Sequence, residues 1–210
     1  MIKILIADDH LLVREGLKKV LKLEPDIYVS AEASNAAEAL SALSENDIDV
    51  MILDITMPGR SGLDLLTDLK KMYPKMPVLI LSMHSEDRYA IRALKSGASG
   101  YLTKESAASE LVKAIRKVYS GGRYISESLS ELLAAEMGAP SSMAPHERLS
   151  DREYYVMIKI AQGWSAQKIA DELSLSLSTI NTYRARILEK MNFKGNAELI
   201  RYAMNKELVD

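Results

Sequence analysis

Asp54 stands where the apolar run Val50-Met51-Ile52-Leu53 stops, and Met57-Pro58-Gly59 turns the chain just after it. Asp8 and Asp9 stand in the same relation to Ile2–Ala7, Ser82 to the run at 78–81, and Lys104 to the short pair Tyr101-Leu102. Carboxylates gathered in one place repel each other and call for a hard cation held through oxygen. Mg²⁺ suits them, because it takes a few carboxylates together with waters and phosphate oxygens. With that cation in place, Asp54 can attack a phosphoryl group as a carboxylate nucleophile. The Lys104 ammonium and the Ser82 hydroxyl would then answer the charge on the phosphoryl oxygens. Asp54 needs no general base, since a carboxylate is ionised near neutral pH.

Each residue alone has a plainer account. Asp8-Asp9 would cap a helix, Asp54 would be a polar strand end facing water, and Lys104 a solvated loop cation. What favours a joint site is the shared position at strand ends. In open α/β sheets, ligands gather in the crevice at the carboxyl ends of the strands.

The elements that bring these ends together alternate from the first residue. Apolar runs at 2–7, 27–31, 50–53, 78–81 and 101–102 read as strands, and 50–53 has the unbroken apolar character of a strand buried on both faces. Between them, 12–23 puts Val13, Leu17, Val20 and Leu21 on one helical face. Segments 36–43, 63–72 and 89–95 are helical, and Leu111, Ile115 and Val118 mark a last amphipathic helix. Five βα units in succession predict an α/β fold with a doubly wound parallel sheet. After Gly121-Gly122 a further helix is expected at 126–137, then a linker at 138–145 rich in small residues and proline.

Asp8-Asp9, Asp54, Ser82 and Lys104, with Met57-Pro58-Gly59 behind Asp54, resemble the receiver domain of bacterial two-component response regulators. The resemblance covers residues 1–121 and implies a five-stranded parallel sheet in the flavodoxin-like order 2-1-3-4-5. It implies that Asp54 is the phosphoacceptor and that Mg²⁺ is held by Asp8, Asp9, Asp54 and the backbone carbonyl of Thr56. It also implies that Lys104 contacts the phosphoryl group, and that the donor is a phosphohistidine on a sensor histidine kinase. Tyr101, three residues before the lysine, matches the aromatic switch position, with Ser82 as its companion. A half-buried aromatic at a strand end is the alternative for Tyr101. His84 is expected on the surface of the loop after Ser82.

No strands are expected beyond the linker. Ser150-Asp151-Arg152-Glu153 has the pattern of a capping box opening a helix that Gly163 ends. Ser165 can cap a second helix carrying Ile169 and Leu173, a turn covers 175–178, a third helix covers 179–191 and a fourth 198–205. On the third, Ile180, Tyr183, Ile187, Leu188 and Met191 share one side, while Asn181, Thr182, Ala185, Arg186 and Glu189 share the other. A helix with a packed face and an Asn/Thr/Arg face, after a capped helix and a short turn, has the organisation of a helix-turn-helix. Arg184, Arg186, Lys190 and Lys194 give it a modest basic edge.

Leu149-Ser150-Asp151-Arg152-Glu153, Ile169-Ala170, Thr179-Ile180 and Ile187 to Met191 resemble the four-helix, all-α DNA-binding domain of the NarL/FixJ (LuxR-type) regulators. This implies an architecture of receiver (1–121), helical and flexible linker (122–148) and helix-turn-helix domain (149–210). One departure stands out: the family's Val-Lys-x-His at the start of the recognition helix is Ile180-Asn181-Thr182-Tyr183 here. Base readout is therefore assigned to Asn181, Thr182 and Ala185. An Asn can read adenine, and methyl groups can touch the thymine methyl. Ser178, Thr179, Arg184, Arg186 and Lys190 complete the expected DNA-contacting set. Leu199, Ile200 and Ala203 of the fourth helix are expected to be left over for a dimer contact. Trp164 is expected to pack at a turn, with no ligand.

Composition narrows the alternatives. There is no cysteine among 210 residues, which excludes disulfides, thiolate chemistry and cysteine-based zinc sites and fits a reducing compartment. His10, His84 and His146 lack ligand spacing relative to each other, so a transition-metal site is not expected. No apolar run is long enough to span a bilayer, and a cytoplasmic location is expected. Basic and acidic residues number 18 and 21 over 1–148, and 9 and 8 over 149–210, an asymmetry too slight to carry a function. The expected protein is not an enzyme. It is a phosphoacceptor transcription factor that only assists its own phosphorylation and dephosphorylation, dimeric when phosphorylated and reading inverted half-sites on double-stranded DNA. A phosphatase acting on external substrates, and a DNA-binding protein indifferent to phosphorylation, are the competing readings.

Overall fold

The computed structural model describes residues 1–58, 61–83, 86–138, 144–173, 175–206 and 208–209. The expectations for Gly59, His84 and linker positions 139–143 lie outside these residues. Strands β1 (Ile2–Ala7), β2 (Ile27–Ala33), β3 (Val50–Asp54), β4 (Val78–Ser82) and β5 (Gly100–Thr103) form one parallel sheet in the order β2-β1-β3-β4-β5. Parallel neighbours need crossover connections. Helices α1 (Leu11–Leu21), α2 (Ala36–Glu45), α3 (Gly62–Met72) and α4 (Glu86–Lys95) supply them, and α5 (Ala107–Tyr119) follows β5. The chain steps outward from β1 in one direction and from β3 in the other. That reversal leaves a crevice at the carboxyl ends of these two strands.

Strands β3 and β4 are buried along their whole length, which is why VMILD and VLILS show no polar alternation until their last residue. Successive side chains still part to opposite faces. Ile2, Ile4, Ile6, Val50, Ile52, Leu79, Leu81 and Leu102 pack with Leu17 and Leu21 of α1 and with Leu111, Ala114, Ile115 and Val118 of α5. The alternate residues Leu5, Met51, Leu53, Ile80 and Tyr101 are equally buried, as are Leu63, Leu65, Leu66 and Leu69 of α3. Edge strand β2 runs two residues past its expected end. It pairs with β1 as far as Ala7↔Ala33, with a register shift between Ile4 and Leu5 that takes up an extra residue.

Two compact units divide the chain, Met1–Ala139 and Pro140–Asp210. In the first, Tyr124 forms a parallel bridge to Gly100, and α6 (Glu127–Gly138) packs on α4. In the second, a 3-10 turn (Pro145–Arg148) precedes α7 (Asp151–Ala161), α8 (Ala166–Leu173), α9 (Leu177–Met191) and α10 (Asn196–Asn205). Helix α7 packs on α9 and α10, and α8 packs on α9. The α7 capping box is present as expected. Ser150 Oγ accepts the Glu153 N–H, and the Glu153 carboxylate accepts the Ser150 N–H. Helix α9 starts two residues before its expected start because the Ser176 hydroxyl, not a later one, accepts the Thr179 N–H.

One expectation for α10 is corrected here. Leu199 and Ala203 have no exposed area, since the fourth helix closes the core that the other three leave open. They are not left over for a dimer contact; Ile200 alone of the three keeps partial exposure. Among the described residues no helix is long and apolar enough to cross a membrane.

Candidate functional site

Strands β1 and β3 run side by side with Ala7 opposite Leu53, so the residues that follow each strand meet at one edge. Asp8 and Asp54 are buried, and Asp9 is partly exposed. The Lys104 Nζ lies 2.8 Å from Asp54 Oδ2 and 2.7 Å from Asp8 Oδ2. It gets there because its own N–H donates to the Ser82 carbonyl at 2.8 Å, carrying the β4–β5 ladder one residue past the strands. Asp54 Oδ1 accepts the Thr56 N–H at 3.1 Å. Ser82 is buried at the end of β4, opposite Thr103 in register. Tyr101, opposite Ile80, is fully buried.

The Asp54 carboxyl is raised to about 6, the net of burial, which pushes it up most, of the Lys104 cation, which draws it down, and of the Asp8 carboxylate, which pushes it up. Burial acts the other way on Lys104, but Asp54 and Asp8 outweigh it and the ammonium titrates above its ordinary range. In metal-free protein, carbon-13 NMR of the side-chain carboxyls should place the Asp54 midpoint near 6. Lys104→Ala should raise it and Mg²⁺ should lower it, since both results follow from the charge facing the carboxylate. A raised folded-state pKa means that this group's contribution to stability is fully present below its ordinary 3.8 and is lost as pH rises through about 6. A midpoint near 4 would contradict the buried environment.

Whether the pocket fits a divalent cation is answered by its donors. Ligand atoms of Asp8, Asp9, His10 and Asp54 all lie within 4.8 Å of one another. Two buried oxygens, Asp8 Oδ2 and Asp9 Oδ1, accept no hydrogen bond. Lys104 Nζ at 2.7 Å and His10 Nδ1 at 2.8 Å approach them without the alignment of a hydrogen bond. Carboxylate oxygens short of donors are what a hard cation takes, so an Mg²⁺-sized ion is compatible with the site.

Three participants escaped the sequence reading. His10 accompanies the acid pair, its N–H donating to Asp8 Oδ1 at 2.8 Å. Its distance in sequence from His84 and His146 gives no ligand signal; its place directly after Asp8-Asp9 does. Arg14 Nη1 donates to the Asp8 carbonyl at 2.6 Å. Gly62 opens α3, with its N–H on the Ile55 carbonyl at 2.9 Å, and a β-carbon there would lie 2.0 Å from the Asp54 carbonyl oxygen.

In the second unit, Ile180, Ile187 and Met191 of α9 are buried, while Asn181, Thr182, Arg184, Ala185 and Arg186 are exposed, which is the two-faced helix expected. Ser178 and Thr179 are drawn into the cap, Ser176 Oγ being 2.8 Å from each of their hydroxyls. Thr182 Oγ1 donates to the Ser178 carbonyl at 3.0 Å. Arg184 Nε donates to Asn196 Oδ1 at 2.7 Å, tying α9 to α10. Lys190 Nζ lies 2.6 Å from Oε2 of the buried Glu153. Burial pushes Glu153 up, but Lys190 and the Ser150 donors outweigh it and hold the carboxyl below its ordinary range. The same carboxylate thus caps α7 and anchors α9.

A doubly wound parallel sheet with a carboxylate–lysine pocket at its edge, joined to a helix-turn-helix bundle, defines a signal-receiving module coupled to a DNA-binding one. Residues 4–116 match the response regulator receiver domain, and residues 147–203 match the bacterial regulatory proteins of the luxR family. The chain belongs to the two-component response regulators of the NarL/FixJ type, a family of transcription factors. It is 35% identical over 209 residues to the response regulator UvrY of Escherichia coli K12, covering 99% of this chain and 96% of that one. It is 37% identical over 216 residues to the oxygen regulatory protein NreC of Staphylococcus epidermidis, covering 99% of each. Among solved structures it resembles RcsB from Salmonella enterica serovar Typhimurium bound to promoter P1flhDC with the phosphomimetic BeF3⁻. The TM-score is 0.60 at 27% identity, over 96% of this chain and 97% of that one.

Proposed function

We propose that this chain accepts a phosphoryl group on Asp54 from the phosphohistidine of a sensor histidine kinase and, so modified, regulates transcription from double-stranded DNA. The observation that carries this reading is the Lys104 ammonium within 2.8 Å of a buried Asp54, beside Asp8 and Asp9. Asp8, Asp9, Asp54 and the Thr56 backbone carbonyl would hold Mg²⁺, which when bound supplies positive charge for the phosphoryl oxygens. The bond from phosphorus to the kinase histidine nitrogen breaks as the bond to an Asp54 oxygen forms, and the histidine keeps the electron pair. Lys104 and the Ser82 hydroxyl bind the transferred oxygens. The chain turns over no external substrate; the same pocket assists only its own phosphorylation and dephosphorylation.

A phosphoryl group adds roughly −1.5 to −2 charge at Asp54. Ser82 and Tyr101 move toward it, and the surface formed by α4 and β5 shifts between two states. The receiver (1–121) is joined to the DNA-binding domain (149–210) through a linker (122–148) that lets this change favour a homodimer. Two recognition helices then read inverted half-sites about one turn of duplex apart. Asn181, Thr182 and Ala185 meet base edges, while Ser178, Thr179, Arg184, Arg186 and Lys190 supply backbone contacts and charge. The similarity to RcsB bound to promoter P1flhDC in the presence of a phosphomimetic supports the reading. The protein works in the cytoplasm.

DNA affinity and molecular mass, measured side by side with and without Mg²⁺ plus acetyl phosphate, test the reading. Tighter DNA binding and a doubled mass are expected only with both present. Identical values in all arms would overturn it.

A further inference from the structure

The chain's single tryptophan lies where α7 ends and α8 begins. Gly163, with φ of +82°, turns the chain there, and the Trp164 N–H donates to the Lys159 carbonyl at 3.0 Å. The half-buried indole carries two cations, Lys168 Nζ at 3.7 Å and Lys159 Nζ at 3.9 Å from its ring centroid. The two differ in every other respect. Lys159 is largely covered and pairs with Glu172 at 3.2 Å. Lys168 is exposed, and among the described residues no carboxylate pairs with it. The acids on its own helix are already engaged, Asp171 by Gln167 at 2.8 Å and Glu172 by Lys159.

We propose that Lys168, held in place by the Trp164 ring, contacts a DNA backbone phosphate beside the groove entered by α9. This deepens the DNA-binding reading and rests on it. In a helix-turn-helix, the helix before the recognition helix crosses the sugar–phosphate backbone, and here that helix is α8, packed directly on α9. A long lysine side chain ordinarily loses much rotamer freedom on binding an anion. Resting on an aromatic face, it is already partly ordered, and a second ammonium on the same ring adds to the positive field. A phosphate would also answer the charge of Lys168 more fully than a neutral ring can. Trp164 is therefore a positioning residue, and Lys168 makes the contact.

The test uses the full chain treated with Mg²⁺ and acetyl phosphate, and two mixed-sequence duplexes of unrelated composition titrated across a salt series. Lys168→Ala should weaken binding to both duplexes by the same factor and reduce the slope of log affinity against log salt by about one. Lys168→Arg should restore the slope, and Trp164→Leu should lower affinity without changing it. The emission of Trp164 should respond to DNA in the wild type and respond less in Lys168→Ala. An unchanged slope and affinity in Lys168→Ala, while the wild type binds, would overturn this inference and leave the DNA-binding reading standing. A wild type that binds neither duplex at any salt would overturn both.

Discussion

Asp54→Ala should take up no phosphoryl group from acetyl phosphate or from a kinase, and its DNA affinity should no longer respond to either. The pocket holds other carboxylates, so the outcome is not trivial. Asp8 is buried, with Oδ1 accepting the His10 N–H at 2.8 Å and Oδ2 facing Lys104 at 2.7 Å. Asp9 is the more exposed of the pair, with one oxygen beside His10. Asp54 ends the middle strand of the sheet, with Lys104 on one oxygen and the Thr56 N–H on the other, a geometry that would order the proposed nucleophile and the charge it would acquire. The variant should fold, because it removes one of two acids that share a lysine and leaves the Lys104–Asp8 pair intact. Intact-mass spectrometry after donor treatment is the direct measurement, with circular dichroism to confirm folding. One added phosphoryl group on the Ala variant would show that the acceptor lies elsewhere.

That Asp54 and Lys104 meet was legible in the sequence because the reasons for it are local and repeat. Each apolar run ends in a polar residue, and parallel strands joined by helices bring all such ends to one edge. The two faces of α9 were legible for the same reason, a period of 3.6 that places Ile180 and Ile187 inward and Asn181 and Arg186 outward. What stayed hidden depends on pairs with no periodic signal. Glu153 reads as a capping residue from Ser150, but its bond to Lys190, 37 positions away, comes only with the packing of α7 on α9. Leu199 and Ala203 look spare until the remaining volume of the bundle is known. Trp164 collects its cations from two helices across a turn, so neither helix shows the pattern alone.

Gly62 belongs to this hidden class, and replacing it gives the largest expected loss of stability. Gly62→Ala puts a β-carbon 2.0 Å from the Asp54 carbonyl oxygen, 2.9 Å from its carbon and 3.0 Å from Ile55 Cα. All three are backbone atoms, so no side-chain rotation relieves the contact. Either α3 moves or the Asp54–Ile55 peptide turns. Helix α3 is held by Leu63, Leu65, Leu66 and Leu69, each fully buried, and the peptide carries Asp54. Alanine's better helix propensity returns at most about 1 kcal/mol. The overpacking costs about 3 kcal/mol or more, so strain wins. A drop of about 10 °C in midpoint temperature is expected for a unit of this size, with slower phosphoryl uptake in whatever fraction remains folded. Gly16→Ala is the control: it lies mid-helix in α1 with nothing within 4 Å of the added carbon, and should stabilise by about 0.5–1 kcal/mol. Thermal unfolding of the two variants beside the wild type separates the cases. Equal midpoints would mean that the α3 start does not press on the Asp54 peptide, and that Asp54 is held by the sheet alone.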